Sequence, residues 1–407
     1  MKAQTLLHLL LFSVAILPFA ESATVNPKEK KPTPTPIPTP LPAPSANSEK
    51  AIRVTPNVTP ENAAFLQRER LDPESVPLEK PVESLKPLAG KPTGEDAIRL
   101  QIFLDQSNFG PGVIDGKPGL FTEQAVKAWN EVNGHPIDDW NPALKAARLA
   151  IPVAYLEVKV PNLLKKWVNP TLSHDRIAQA KAQKTLAYRS VAEFMAERYH
   201  TDVDFLVEIN GAKKLAALTA DSLIKVPNVK PFLIEEIRGA KFETDAGKSA
   251  RHAVVDTKRN QLRIFEAAPV ALIVEENSDE KQMPKPRPNR SLVATFPITP
   301  GQTKFIHYGM WAVKNQVELP TWRYDKSLLE TGKRTKDQKK VYDLPPGPNS
   351  PVGVLWCGLN KSGIGLHGTA DPETIGRARS AGCIRLANWD VIRLPSLISP
   401  GTTVEIR

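Results

Sequence analysis

Cysteine is nearly absent from this 407-residue chain, with Cys357 and Cys383 the only two. That count excludes a disulfide-stapled fold. No Cys/His cluster surrounds either one, so four ligands for a structural zinc are missing too. Long apolar runs are also lacking. The stretch 6–17 is interrupted by His8 and Ser13 and falls short of the roughly 20 residues a membrane span requires. No later segment could cross a bilayer. The formal net charge is +10, yet Lys and Arg are scattered. Without a dense basic stripe or a nucleic-acid motif, the charge does not indicate a nucleic-acid reader and suits an anionic cell envelope.

The chain is 41% hydrophobic and 24% charged over 407 residues, enough for more than one core and for two or three domains of roughly 100–200 residues each. Proline supplies the first boundary. Residues 1–23 read as a signal peptide, with Lys2, a short apolar run and the small residues Ala20, Ser22 and Ala23. An uncleaved anchor is the alternative. No cysteine follows the run to carry a lipid, so the mature protein is expected to be exported with no stable membrane span. Residues 24–94 form a Pro-rich linker. Eight prolines between Pro27 and Pro44 favour extended polyproline II, a spacer conformation. A short helix over 61–71 is possible there.

Helical periodicity begins at residue 95. Ala97, Leu100, Gln101 and Leu104 share one face, and the turn cluster 108–112 leads to Ile114-Asp115-Gly116. A second helix is predicted to start at Thr122 as N-cap, burying Ala125, Val126 and Trp129. The runs LQIFL and GVIDGKPGLFTEQAVKAW resemble the small helical peptidoglycan-binding domain, implying a module over 95–150. Over 165–229, two helices (191–199 and 203–209) meet at His200-Thr201-Asp202, and a strand follows at 223–227. SVAEFMAERYHTDVDFLVEINGA and SLIKVPN resemble a LysM domain, an α+β unit that binds glycans rich in N-acetylglucosamine. The family's Gly-Asp-Thr is replaced here by Ala187-Tyr188-Arg189-Ser190, so this unit serves either as a glycan binder or as a spacer.

From residue 235 the pattern changes to strands. Runs at 253–256, 261–265, 271–274, 292–298, 352–359 and 402–406 predict a mostly-β, sandwich-like domain over 235–407. Two charged insertions, 275–290 and 324–341, read as surface loops. Near the end stands GLHGTADPETIGRARSAGCIRLAN, with His367 and Cys383 separated by fifteen residues. A thiol attacks a carbonyl only as thiolate, and a histidine in reach can take its proton and return it to a leaving amine. Backbone N–H groups around Gly382 and Cys383 are candidates for stabilising an oxyanion. Arg385, two residues beyond Cys383, shares its strand face and could favour the thiolate or hold a carboxylate. Cys357 lies in an apolar run and reads as core, with a Cys357–Cys383 disulfide the competing idea.

This stretch resembles the signature of the L,D-transpeptidase (YkuD-like) catalytic domain: a histidine in I-x-L/I-H-G-T, then S-x-G-C-I/V-R-M/L. The upstream LPPGPNSPVG matches the family's P-P-G-P-x-N-P-L-G run. The resemblance implies that Cys383 is the nucleophile and His367 its base. It places Ser380, Gly382 and Arg385 in the signature, and points to the Gly368 carbonyl as what orients the histidine, since no acidic third member is evident. Ala381 stands where a second histidine is often found. The expected reaction is cleavage of the L,D-bond of a peptidoglycan stem peptide and transfer to a second stem as a 3→3 cross-link, without metal or cofactor. The alternatives are an L,D-carboxypeptidase, exchange of the terminal D-residue, attachment of a protein to the wall, or a non-catalytic peptidoglycan-binding scaffold. The expected location is the periplasm or cell wall of a bacterium, with stem peptides and glycan strands as partners.

Overall fold

A computed structural model describes residues 90–266, 291–331, 333–377 and 382–407, with the backbone of 76–77. All lie in one compact unit, Val54–Arg407. The predicted signal, most of the Pro-rich linker, the 61–71 helix, the 271–274 strand and the 275–290 insertion fall outside these residues. Among the described residues no helix is long and apolar enough to cross a membrane.

Three helices open the described chain: α1 Gly94–Gln106, α2 Leu120–Asn133 and α3 Trp140–Ala150. Helix α1 is buried almost all round, so Arg99 and Asp105 are covered along with the apolar face. Glu95 pairs with Arg99 at 2.8 Å and Arg393 with Asp105 at 2.6 Å, while Asp96 ties α1 to Arg148 of α3, with Nη2···Oδ2 at 2.6 Å. Gln101 ties down the turn between α1 and α2. Its carbonyl oxygen accepts from the backbone N–H of Asp115 and Gly116, and its amide donates to Asp115 Oδ1. The N-cap of helix α2 lies three residues earlier than predicted. Gly119 is its N-cap and Thr122 is buried inside the first turn, its hydroxyl donating to the Pro111 carbonyl.

A three-stranded antiparallel sheet follows, from β1 Val76–Pro77, β2 Tyr155–Lys159 and β3 Leu223–Pro227. Between β2 and β3 lie α4 Arg176–Ala182, α5 Val191–Arg198 and α6 Val203–Asn210. Ser190 caps α5 by accepting from Glu193 N, and the Glu193 carboxylate accepts in turn from Arg189 N, a reciprocal arrangement that fixes the helix start. The strand pairing with β3 lies ahead of residue 165. The sequence signal for β2 was hidden because 160–190 separates it from the helices it packs on.

The C-terminal part holds β4 Lys241–Phe242, β5 His252–Asp256, β6 Gln261–Phe265, β7 Leu292–Pro297, β8 Gly309–Glu318, β9 Trp322–Asp325, β10 Val341–Leu344, β11 Leu355–Leu359, β12 Gly365–His367, β13 Ile384–Arg385 and β14 Thr403–Ile406. Apart from the β9–β10 hairpin, these form one sheet in the order β13-β12-β11-β8-β14-β5-β6-β7, with β4 on β8. The expected sandwich is therefore a single curled sheet. Its ends meet: Thr299, just past β7, exchanges backbone bonds of 2.9 and 3.0 Å with Arg385 of β13. Closure explains the sandwich-like strand pattern, since a curled sheet also turns alternate residues into one interior. The other rim of β7 is covered by Asn108–Gly110, whose backbone pairs with Thr295. That contact covers an edge that would otherwise be open to another strand.

The 324–341 insertion is only partly loop. Its ends pair as β9–β10, and Trp322, Tyr324 and Tyr342 pack on Leu172, Ala180 and Leu186 from the segment around α4.

Candidate active site

Three adjacent strands build the site. Pairing of β11 with β12 puts Trp356 opposite His367, and the parallel pairing of β12 with β13 puts His367 opposite Arg385. Registered residues share a face, so Trp356, His367 and Arg385 form one row across the sheet. Cys383 precedes β13, two residues before Arg385, and belongs to that face. Cys357, Leu366 and Ile384 make the alternate row, fully buried in the core. The two cysteines thus occupy opposite faces, and neither is in a disulfide.

Trp356 is the residue that sequence reasoning missed, having been read as part of an apolar run. Its indole stacks on the His367 ring, with centroids 5.6 Å apart and planes 18° apart. Gly358 and Gly365 make the room. A Cβ on Gly365 would stand 2.8 Å from the indole, and one on Gly358 would stand 2.6 Å from Trp356 Nε1. Glycine at alternate strand positions beside a tryptophan was the available signal.

His367 is 4% exposed, and its Nδ1 lies 2.7 Å from the Gly368 carbonyl oxygen. A carbonyl only accepts, so Nδ1 carries the hydrogen and Nε2 is left with its lone pair. Burial, reinforced by the Arg385 charge, lowers the imidazole pKa to about 4 despite the Gly368 bond. Cys383 is half-buried, and its thiol lies 3.4 Å from the Gly363 carbonyl oxygen as donor. Burial pushes this thiol up to about 11, against the opposing effects of the Gly365 backbone and the Arg385 charge. Burial therefore favours the neutral form of both the Cys383 thiol and the His367 imidazole.

The turn before Cys383 is set by backbone contact. Gly382 has φ +110°, a conformation that favours glycine. Gly301 presses on it so closely that a Cβ there would stand 2.4 Å from Gly382 Cα. Ser380 and Ala381 lie outside the described residues.

Asn388, fully buried just past β13, is a second residue without a sequence signal. Its Oδ1 accepts from Val354 N at 3.1 Å, and Nδ2 donates to Glu197 Oε1 at 2.9 Å and to the Pro348 carbonyl at 3.2 Å. The amide oxygen fills space where Cβ atoms on Gly353 or Gly368 would fall. One side chain therefore supports the Pro345–Gly353 turn, the strand end after His367 and helix α5. Close by, Asn349 Nδ2 donates to the Ala187 carbonyl and Leu186 N to the Pro346 carbonyl. Among the described residues no group of three or more His, Cys, Asp or Glu could hold a metal ion.

Residues 277–406 match the family model described as the L,D-transpeptidase catalytic domain. The C-terminal part of this chain is an L,D-transpeptidase domain. The YkuD protein of Bacillus licheniformis, named as a candidate L,D-transpeptidase, is 48% identical over 66 residues, covering 16% of this chain and 40% of that protein. Its Bacillus subtilis counterpart is 49% identical over 59 residues, 14% of this chain and 36% of its own length. The chain thus spans well under half of these relatives. Among solved structures, L,D-transpeptidase 3 from Mycobacterium tuberculosis is 13% identical, with a TM-score of 0.27, over 47% of this chain and 75% of that one. That likeness is too slight to bear on the site. The transpeptidase domain contains the full row of Trp356, His367 and Arg385 together with Cys383.

Proposed function

We propose that this protein is an L,D-transpeptidase acting on peptidoglycan stem peptides through a Cys383 thioester. The carrying observation is the pinned histidine: Nδ1 is committed to Gly368, so Nε2 keeps the lone pair that would accept the thiol proton. In the first half-reaction the thiol proton passes to Nε2 as the S–C bond forms. N–H groups at Gly382 and Cys383 receive the oxyanion. The C–N bond to the terminal D-residue then breaks, and the imidazolium returns the proton to the departing amine. An amine of a second stem next attacks the thioester, gives a proton to His367, and the thiol is restored on release of the 3→3 cross-linked product.

The neutral resting pair supports this order, because proton transfer then accompanies attack. Export by residues 1–23, the 24–94 spacer, and wall binding by the helical 95–150 module and the LysM-like unit belong to the same proposal. In that unit the Ala187 carbonyl accepts from Asn349 of the transpeptidase domain. This favours a structural role for that end of the unit and leaves glycan binding to its other surfaces.

Incubation with a disaccharide-tetrapeptide, followed by mass spectrometry, tests the reaction. The expected products are free D-residue and a 3→3 dimer. Release of the D-residue with water alone as acceptor would make the protein a carboxypeptidase.

A further inference from the structure

Two short helices, Asn388–Val391 and Leu394–Leu397, follow β13, and both N-terminal parts of the chain grip them. Trp389, 2% exposed, lays its indole on the imidazole of His200, with centroids 5.4 Å apart and planes 8° apart. His200 stands in the turn between α5 and α6. Arg393 reaches Asp105 near the end of α1, giving Nη1 to the Asp105 carbonyl oxygen and Nη2 to Oδ2, both at 2.6 Å. The same Oδ2 lies 3.1 Å from His200 Nδ1. A carboxylate only accepts, so that nitrogen carries the hydrogen. Residues from three separate stretches of the chain thus meet in one buried cluster.

Two features of the cluster go beyond filling space. His200 has φ +53°, a left-handed conformation that residues with a Cβ adopt uncommonly. Such a backbone persists where its surroundings hold it. Here Ile114 N donates to the His200 carbonyl at 2.9 Å, and Thr201 Oγ1 donates to the Ile114 carbonyl at 2.8 Å. The second feature is Trp389 Nε1, which is buried with no hydrogen-bond partner among the described residues. A hydrocarbon side chain would fill this core without stranding a donor. What it would lack is a flat face to fix the angle between two rings.

The segment held in this way touches the catalytic histidine's own backbone. Leu386 N donates to the His367 carbonyl at 2.8 Å. Asn388, the residue before Trp389, places Oδ1 2.1 Å from where a Cβ on Gly368 would be. The Gly368 carbonyl is the group that holds His367 Nδ1. We infer that Trp389, His200 and the Arg393–Asp105 pair are positioning residues for His367, acting through Leu386 and Asn388. The inference rests on the thioester reading of Cys383 and makes both N-terminal parts of the chain contributors to the reaction geometry. Misplacing a reacting group by 1 Å costs about 10²-fold in rate, so a firm grip on 386–393 has a kinetic consequence.

Acylation of the full chain by a tetrapeptide stem, followed by quenched-flow mass spectrometry, gives three readings. They are the saturating rate, the half-saturating stem concentration and the final adduct yield. Trp389→Leu is expected to slow the saturating rate about tenfold, less than a full ångström would cost, with half-saturation and final yield unchanged. Trp389→Phe keeps a flat face and should recover most of that rate. His200→Asn removes the stack but suits the left-handed backbone, and should slow the rate to a similar degree. It carries the test alone should Trp389→Leu not fold. An unchanged saturating rate would overturn the inference. So would a loss confined to adduct yield, which marks a role in folding only, or a Trp389→Phe chain as slow as Trp389→Leu. No adduct on the unmodified chain would instead remove the thioester reading, and this inference with it.

Discussion

Asn388 donates to Glu197 at 2.9 Å although 191 positions separate them in sequence. The bond joins the strand end beside the nucleophile to helix α5 of the N-terminal unit, inside a buried network that includes Tyr188. Replacing Asn388 with Ala leaves Val354 N without its acceptor and Glu197 without one donor. Unsatisfied buried groups of this kind cost about 1–3 kcal/mol each. The Asn388→Ala chain is therefore expected to lose about 3 kcal/mol in denaturant unfolding. A loss under about 0.5 kcal/mol would show that the network carries little stability.

Glu197 predicts a pH dependence of stability. Burial, the largest cause, raises its pKa to about 8, and burial likewise raises Asp390 to about 8. Folded pKa values above the unfolded ones mean that the native state binds more protons, so stability falls as pH rises from about 4.5 to about 8. Asp105 acts in the opposite sense at acid pH. It is buried, but the Arg393 and His200 charges and their hydrogen bonds bring it to about 2, a contribution lost as pH falls through that value. Thermal melts across pH should show this decline between about pH 4.5 and about pH 8, and Glu197→Gln should make it shallower. An unchanged slope would remove Glu197 from the account.

The neutral thiol–imidazole pair has its own signature. With the thiol at about 11 and the imidazole at about 4, alkylation of Cys383 by iodoacetamide should accelerate steadily through the neutral and mildly alkaline range. A preformed thiolate–imidazolium pair would instead give a rate plateau near pH 6. Acylation by a stem peptide should need unprotonated His367 and fall away only as pH approaches 4. His367→Ala should slow acylation by about 10²–10⁴.

Glycine contacts separate shape from chemistry. Gly301→Ala pushes a methyl against Gly382 backbone and should reduce acylation at least tenfold by moving Cys383. Gly134→Ala, at φ +70° with open space around it, should cost only about 1 kcal/mol of stability and leave acylation unchanged. Equal loss of acylation in both chains would mean that the Gly301 contact does not position the thiol.

The strands at 253–256, 261–265 and 402–406 were legible from alternation and length, and so were helices α5 and α6. The ten-residue β8 at the centre of the sheet was not. Lys314, Asn315 and Gln316 interrupt its apolar pattern, and much of its face is exposed. Single-sheet closure was equally hidden, because it depends on the Thr299–Arg385 bridge between segments 86 apart. Cys383 and His367 stood out through their flanking glycines. Trp356 and Asn388 did not, because each acts through a partner distant in sequence. A tryptophan in an apolar run reads as core until its partner strand is known. An asparagine in the first turn of a short helix reads as a helix start.

The most direct test is intact-mass and peptide-mapping analysis of the reduced full-length chain after brief exposure to a tetrapeptide stem. The account predicts a tripeptide adduct, with loss of the terminal D-residue, mapped to Cys383 and absent from the Cys383→Ala chain. An unmodified Cys383, or an adduct carried by Cys357, would contradict it.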